Sequence, residues 1–209
     1  RAAVLGANDG LVSNFSLVMG ITGGTSDPGI IILAGLAGLL AGAFSMAAGE
    51  YVSMRAQRDR YEYLLEMERG ELEEFPEEER EELVLIYQAK GLTKVEAETV
   101  ADRIMRDPEI ALDTMAREEL GLNPNQLGSP RGAAASSFVA FAAGAFVPVL
   151  PHTVAEGDLA FALSGILSIL ALFAVGSLLS VLSGKRVLRG GLRMLLIGVV
   201  AATLTFGLG

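Results

Sequence analysis

The sequence predicts an all-α membrane protein with five transmembrane helices and an acidic helical insert between the second and the third. Hydrophobic residues make up 51% of the 209 positions, yet the net charge is −9, a combination that a single soluble domain rarely shows. The charge is segregated, since residues 55–122 hold 20 acidic and 10 basic residues and the remainder holds 5 and 6. Outside residues 55–122, five segments are apolar enough to cross a bilayer.

The five apolar segments differ in how clearly they predict a span. A turn-forming cluster at residues 22–29 separates the first from the second, and Pro148 and Pro151 are expected to close the third. The last has only 16 uncharged residues, so we expect Arg189 and Arg193 to snorkel toward the interface and lengthen it. The predicted spans are Val4–Ile21, Ile30–Val52, Gly132–Leu150, Leu159–Ser183 and Met194–Gly209.

The spans and the insert divide the chain into three parts. Residues 1–54 are predicted to hold the first two spans, residues 55–122 the acidic insert, and residues 131–209 the last three spans. In the insert, the helix of the second span is expected to continue to Glu74. Three further helices are predicted from a proline at position 76, from the capping box that begins at Thr93, and from the Asp-Pro pair at 107–108.

The distribution of basic residues predicts the orientation in the membrane. Loops expected on one side carry acidic residues and neither Lys nor Arg, whereas the loops on the other side carry all the basic groups that flank the spans. Because basic residues favour the cytosolic side, the N-terminus and the insert are predicted to be cytosolic. The basic residues that predict this orientation are Arg1, Arg55, Arg58, Arg60, Arg131, Lys185, Arg186, Arg189 and Arg193.

The composition excludes several kinds of site. With no cysteine and one histidine, the chain has no disulfide, thiolate zinc site, iron–sulfur cluster or histidine cluster. Any bound metal would need carboxylate, thioether, amide or water ligands. The acidic balance argues against nucleic acid as a partner, and no segment resembles a nucleotide-binding loop. His152, between two predicted spans, is expected to be a solvated loop residue without a role.

The first candidate site is the ionisable residue Asp9 inside the first span. A charged side chain in a membrane segment is expensive and points to function. Asp9, Ser13 and Ser16 recur at helical spacing and form one polar stripe. The alternative is that Asp9 lies near the interface and only caps the helix.

The second candidate site lies on the second span, where Met46 and Glu50 are one turn apart on one helix face. Their distance from the cytosolic end places Met46 at a level similar to that of Asp9. The three side chains together predict an ion path through the cytosolic third of the membrane. Methionine is more often a core residue, which is the alternative for Met46.

The third candidate site is in the insert. Glu68 and Glu71 share one helix face, Glu79 and Glu82 share a face of the next helix, and the turn between the helices would bring all four together. Paired carboxylates on facing helices are a common way to build a metal site. Met115 and Glu119 form a further pair at i, i+4 spacing. The alternative is a solvated acidic surface, as most glutamate runs are.

Three motifs resemble the vacuolar iron transporter family, and the resemblance covers essentially the whole chain. They are Asn8-Asp9-Gly10-Leu-Val-Ser13, Ser45-Met46-Ala-Ala-Gly-Glu50-Tyr51 and Glu119-Leu-Gly-Leu122. The resemblance implies a homodimer in the lipid bilayer that exports Fe²⁺ from the cytosol by proton antiport, with the path at the dimer interface. It implies that Asp9 and Met46 line the path. It assigns cytosolic metal binding to Glu68, Glu71, Glu79, Glu82, Met115 and Glu119.

The sequence departs from the plant members of that family at two positions. Gly38 stands where they carry a carboxylate, and Glu50 is a hypothetical replacement; Ala116 stands where they carry methionine. The chain resembles the bacterial branch, which implies the bacterial inner membrane. Some bacterial members carry an N-terminal ferritin-like domain, and a start at Arg1 rather than Met is compatible with such a domain upstream.

These observations predict a transporter, not an enzyme, with Fe²⁺ as substrate and without an organic cofactor. Oxygen and thioether ligands do not separate Fe²⁺ from Mn²⁺, Co²⁺ or Zn²⁺, so export of Mn²⁺ or of several divalent metals is an alternative. A membrane-anchored metal sensor is a second alternative, although an anchor has no use for carboxylates inside the membrane.

Overall fold

The computed structural model describes residues 2–122 and 128–209, and the described residues form eight α-helices and no strand. Five helices contain an apolar stretch long enough to cross a membrane. The prediction of an all-α membrane protein with five spans is therefore confirmed. The helices are α1 (Ala2–Gly24), α2 (Pro28–Glu74), α3 (Pro76–Ala89), α4 (Lys94–Ile104), α5 (Pro108–Glu118), α6 (Pro130–Val154), α7 (Gly157–Leu182) and α8 (Val187–Phe206).

The described chain forms two compact units. The first, here called the membrane unit, comprises the chain up to Ser53 and from Ser129 to Gly209, and the second, here called the insert unit, extends from Met54 to Gly128. The long helix α2 contributes its apolar part to the membrane unit and its polar part to the insert unit. Arg1, one of the basic residues that predict the orientation, lies outside the described residues.

Helices α1 and α6 run parallel and pack closely in the membrane unit. A Cβ atom on Gly10 would collide with the backbone carbonyl of Phe141, and one on Gly144 would collide with that of Ala7. Only glycine allows two backbones to approach this closely, which is the usual device for packing helices in lipid. The contacts also fix the register, since Gly10 lies at the level of Phe141.

The apolar part of α2 runs antiparallel to α1 and α6. Gly42 faces the ring of Phe141, and Gly38 faces Asn14 of α1. Towards the other end of the unit, Gly35 faces Val149 of α6. The small residues of α2 therefore form the face that packs against the other two helices.

Helix α6 continues past the point where its end was predicted. Pro148 and Pro151 lie inside the helix, which ends at Val154 instead of Leu150. Membrane helices tolerate proline. In the same turn the hydroxyl of Ser164 on α7 donates to the Pro148 carbonyl at 2.7 Å and ties α6 to α7. The expectation that His152 is a solvated loop residue is wrong, because it lies in the last turn of α6 and is 6% exposed.

The insert unit follows the helix signals of its sequence. Helix α3 begins at a proline, and Thr93 and Glu96 form the predicted capping box of α4. The side chain of Asp107 accepts hydrogen bonds from the first turn of α5. Buried residues of α3, α4 and α5 form the core of the unit: Leu83, Val84, Ala97, Ala101 and Met115.

Candidate metal cluster and ion path

Three glutamates of the insert unit converge at one point, which we call the glutamate cluster. Glu68 of α2, Glu79 of α3 and Glu119 at the end of α5 each place a carboxylate oxygen within 4.8 Å of the other two. Among the described residues, no other group of three acidic or histidine side chains meets this geometry. Glu68 is 1% exposed and Glu79 is 8% exposed, so two of the three carboxylates lie in the interior.

The electrostatics of the cluster favour the binding of a cation. One side-chain oxygen of Glu68 and one of Glu79 are buried without a hydrogen-bond partner. Burial and the neighbouring carboxylates, Glu119 first among them, raise the pKa of Glu68 to about 8. Burial and the same crowding raise the pKa of Glu79 and Glu119 above the ordinary range. Buried carboxylates without a basic partner are the donor set that a divalent metal ion neutralises.

The remaining predicted residues of the insert take two different positions. Glu71 and Glu82 are exposed, but their charges contribute to the raised pKa values of the cluster. They therefore lie at its margin, within reach of an approaching cation. Met115 is fully buried in the core of the insert unit, one turn before Glu119, and Ala116 is buried beside it in sequence.

The candidate path residues of α1 lie on its exposed stripe. Helix α1 packs against α6, α7 and α8, and the side chains it leaves exposed include Asp9 and Ser13, with a leucine one turn before and one turn after this pair. The hydroxyl of Ser13 donates to the backbone carbonyl of Asp9 at 2.6 Å, so this hydroxyl does not engage the Asp9 carboxylate.

Met46 and Glu50 follow Asp9 toward the same end of the membrane unit. Because Gly10 and Gly42 both face Phe141, Asp9 lies level with residue 43 of α2. At 1.5 Å per residue, Met46 lies about 4.5 Å from that level and Glu50 about 6 Å beyond Met46. Both are half-buried, and Met46 packs against the cluster around Phe141. The three side chains are thus staggered along the helices.

Asn14 is a second polar residue inside the first span, and it joins three helices. It is 2% exposed, and its amide nitrogen donates to the carbonyls of Gly35 on α2 at 3.1 Å and Ala145 on α6 at 2.6 Å. Its amide oxygen lies 2.7 Å from the position of a Cβ on Gly38. A polar residue within an apolar run is the pattern that identifies Asp9, and the same pattern applies to Asn14.

Gly38 lies against the ends of two side chains of α1. A side chain at this position would collide with Leu17 and crowd Asn14. Glu50 is twelve residues further along α2, or about 18 Å, so its carboxylate acts at a different depth from one at Gly38.

Comparison with known proteins gives a consistent result over the whole length. The family model described as the VIT family matches residues 1–209. The chain is 36% identical over 217 residues to a protein of Acanthamoeba castellanii named vacuolar iron transporter, covering 100% of this chain and 77% of that protein. It is 31% identical over 210 residues to vacuolar iron transporter 1 of Arabidopsis thaliana, covering 99% and 83% respectively.

Proposed function

The chain belongs to the VIT family and is an iron-transporting membrane protein, not an enzyme; from this premise we propose that it exports Fe²⁺ from the cytosol in exchange for protons. The observation that carries the proposal is the glutamate cluster, because it supplies a built site for a divalent cation outside the apolar spans.

The glutamate cluster is where the ion is loaded. Glu68, Glu79 and Glu119 offer three oxygen ligands, and the exposed Glu71 and Glu82 draw a cation toward them. Fe²⁺ accepts such carboxylate ligands, and Mn²⁺ does as well. Met115 is buried one turn before Glu119, and its thioether is a further candidate ligand.

The ion then passes Glu50, Met46 and Asp9 in turn, because these residues follow one another along the helix axes. Their offsets of about 6 and 4.5 Å along the helix axes set the order in which the ion would meet successive ligands. A thioether between two carboxylates favours a transition metal over Mg²⁺ or Ca²⁺, which prefer oxygen alone. Glu50 acts at the entrance and Asp9 at the deepest point.

A second copy of the chain completes the path. The exposed stripe of α1 carries Asp9 and Ser13, and a carboxylate that faces lipid at this depth is expensive. In a twofold-symmetric homodimer the two stripes would face each other, and the carboxylates would then line a shared conduit between the protomers.

Protons supply the driving force. Moving Fe²⁺ outward against an inside-negative potential costs roughly 4.6 kcal/mol per 100 mV. Competition between a proton and the metal for the carboxylate of Asp9 couples inward proton flow to metal release. The basic residues at one end of the spans support a cytosolic N-terminus and a cytosolic insert, and the resemblance to the bacterial branch supports the bacterial inner membrane.

The experiment that tests the proposal measures metal and proton flux together. Purified protein in liposomes that contain a pH dye and a metal-sensing dye should move Fe²⁺ across the membrane and move protons in the opposite direction. Flux of Fe²⁺ without any proton signal would overturn the antiport, and absence of flux from a dimeric, metal-binding protein would favour the sensor. Competition by Mn²⁺, Co²⁺ and Zn²⁺ in the same assay ranks the substrates.

A further inference from the structure

A cavity of about 370 Å³ lies between the end of α7 and the start of α8 in the membrane unit, and we call it the basic cavity. Four of the residues that line it are cationic, and among the described residues no acidic side chain lines it. The four are Lys185, Arg186, Arg189 and Arg193. No residue assigned to the glutamate cluster or to the ion path lines the basic cavity, so it is a separate feature of the molecule.

The turn between α7 and α8 fixes the wall of the basic cavity. Only four residues join the two helices. The amide of Lys185 donates to the Ser180 carbonyl at 2.8 Å, and Gly184 takes the positive φ of 64° that this helix end requires. A Cβ atom on Gly190 would collide with Ser180, so the first turns of α8 lie directly against the end of α7. The basic side chains therefore extend from a well-defined backbone.

The electrostatics of the basic cavity favour an anion. The ion pairs found among the described residues all lie between positions 55 and 118, and residues 159–209 contain neither Asp nor Glu. Arg193 lies about 9 Å inside the apolar helix α8, where a charge without a counter-charge is costly. The start of α8 adds positive partial charge, since its N-cap residue, Arg186, makes no side-chain capping bond.

The surroundings of the basic cavity fit a lipid better than a soluble anion. Leu188 and Leu192 directly precede Arg189 and Arg193 along α8 and are exposed, as is Leu182 at the end of α7. Both helices are long and apolar enough to cross a membrane, so their short connection lies at the depth of lipid headgroups. Basic pockets between membrane helices are known to bind anionic headgroups, and the exposed leucines offer contact to acyl chains.

We propose that the basic cavity binds the phosphate group of an anionic phospholipid. Arg189 and Arg193 are one turn apart on one face of α8 and bind the phosphate from one side, while Lys185 and Arg186 approach it from the turn. In the orientation proposed above, this lipid belongs to the cytosolic leaflet, and that clause rests on the proposed function. Binding itself depends neither on the direction of transport nor on the transported metal.

The test counts lipids bound to the full chain by native mass spectrometry, during titration with phosphatidylglycerol or with phosphatidylcholine of the same acyl chains. Phosphatidylglycerol should bind saturably and at least tenfold more tightly. The Arg189→Gln/Arg193→Gln variant should lose this preference, and so should Lys185→Gln/Arg186→Gln, which leaves the interior of α8 unchanged. Arg55→Gln/Arg58→Gln is the matched control, because it removes the same charge from residues that already pair with acidic side chains.

Several results would overturn the lipid site. They are equal binding of the two lipids, a preference that survives in both cavity variants, and an equal loss in the control variant. Millimolar inorganic phosphate should not displace phosphatidylglycerol, and displacement would assign the cavity to a soluble anion instead. The flux experiment fails independently: a protein that moves no iron but prefers phosphatidylglycerol has the lipid site without the transport. Iron transport without lipid preference is the reverse case and contradicts only the lipid site.

Discussion

The carboxylates of Glu68 and Glu79 meet in the interior of the insert unit, although they belong to two successive helices, α2 and α3. The helices are separated only by Phe75, and Pro76 begins the second. This short junction brings the two carboxylates together. Glu119 then approaches from the end of α5 and completes the group.

Replacement of Glu79 by Gln should weaken metal binding at least tenfold, which corresponds to about 1.4 kcal/mol. The change keeps the shape of the side chain but removes one of three anionic ligands. Glu73→Gln is the matched control, since Glu73 is exposed and stands outside the cluster. Calorimetric titration of the whole protein with Mn²⁺ measures both, and equal affinities for the two variants would contradict the assignment.

The raised pKa values predict how stability depends on pH. In the unfolded chain Glu68 ionises near 4.5, whereas in the folded protein its pKa is about 8. The folded state therefore binds more protons between these values, and the metal-free protein loses stability as the pH rises from about 4.5 to about 8. Thermal unfolding across that range checks the sign; in Glu68→Gln the loss should be smaller.

Metal binding should show the opposite pH dependence. The ion needs ionised carboxylates, so its binding at pH 7 displaces protons from the cluster and its apparent affinity rises toward pH 8. Titration of Mn²⁺ in two buffers of different ionisation enthalpy counts the protons released. Zero protons released at pH 7 would show that the ion binds elsewhere.

The close packing of α1 and α6 gives a prediction for stability. In Gly144→Ala the new Cβ would collide with the Ala7 carbonyl, and relieving the clash should cost about 1–3 kcal/mol. Gly165→Ala is the control, because no atom lies within 4 Å of a Cβ there. Unfolding temperatures in detergent compare the two, and an equal effect would refute the register described for α1 and α6.

Asn14 should act as a polar link between three helices. Asn14→Ala removes both hydrogen bonds of the amide nitrogen, and intramembrane hydrogen bonds contribute about 0.6–1.7 kcal/mol each. We expect a lower unfolding temperature than for Ser13→Ala, whose hydroxyl bonds only within its own helix. Identical unfolding temperatures for the two variants would show that Asn14 does not stabilise the contact between the helices.

Local signals in the sequence were enough to predict most of the fold. Spans were visible as apolar runs, and the insert helices began where Pro76, Thr93 and Asp107 predicted. Helix α6 continues past its prolines, and Ser164 of α7 binds its backbone there, a contact between distant residues that no local pattern contains. The burial of His152 could not be predicted for the same reason, because it depends on the packing of several helices.

The candidate sites could be predicted only as sets of residues. Spacing along a helix identified Glu68 and Glu79 as neighbours across a turn, but it could not show which glutamates become buried. In the structure Glu119 is the third member of the cluster, whereas Glu71 and Glu82 are exposed. This selection follows from how α5 packs, which side-chain periodicity does not determine.

The central claim is that the Asp9 carboxylate exchanges metal for protons, and flux through Asp9→Asn tests it most directly. Liposomes with the variant should show neither Fe²⁺ transport nor its proton counterflow under an imposed pH gradient, while the protein remains dimeric and binds metal at the glutamate cluster. Asp27→Asn, outside the path in the turn between α1 and α2, should transport normally. Undiminished pH-driven Fe²⁺ flux in Asp9→Asn would contradict the account.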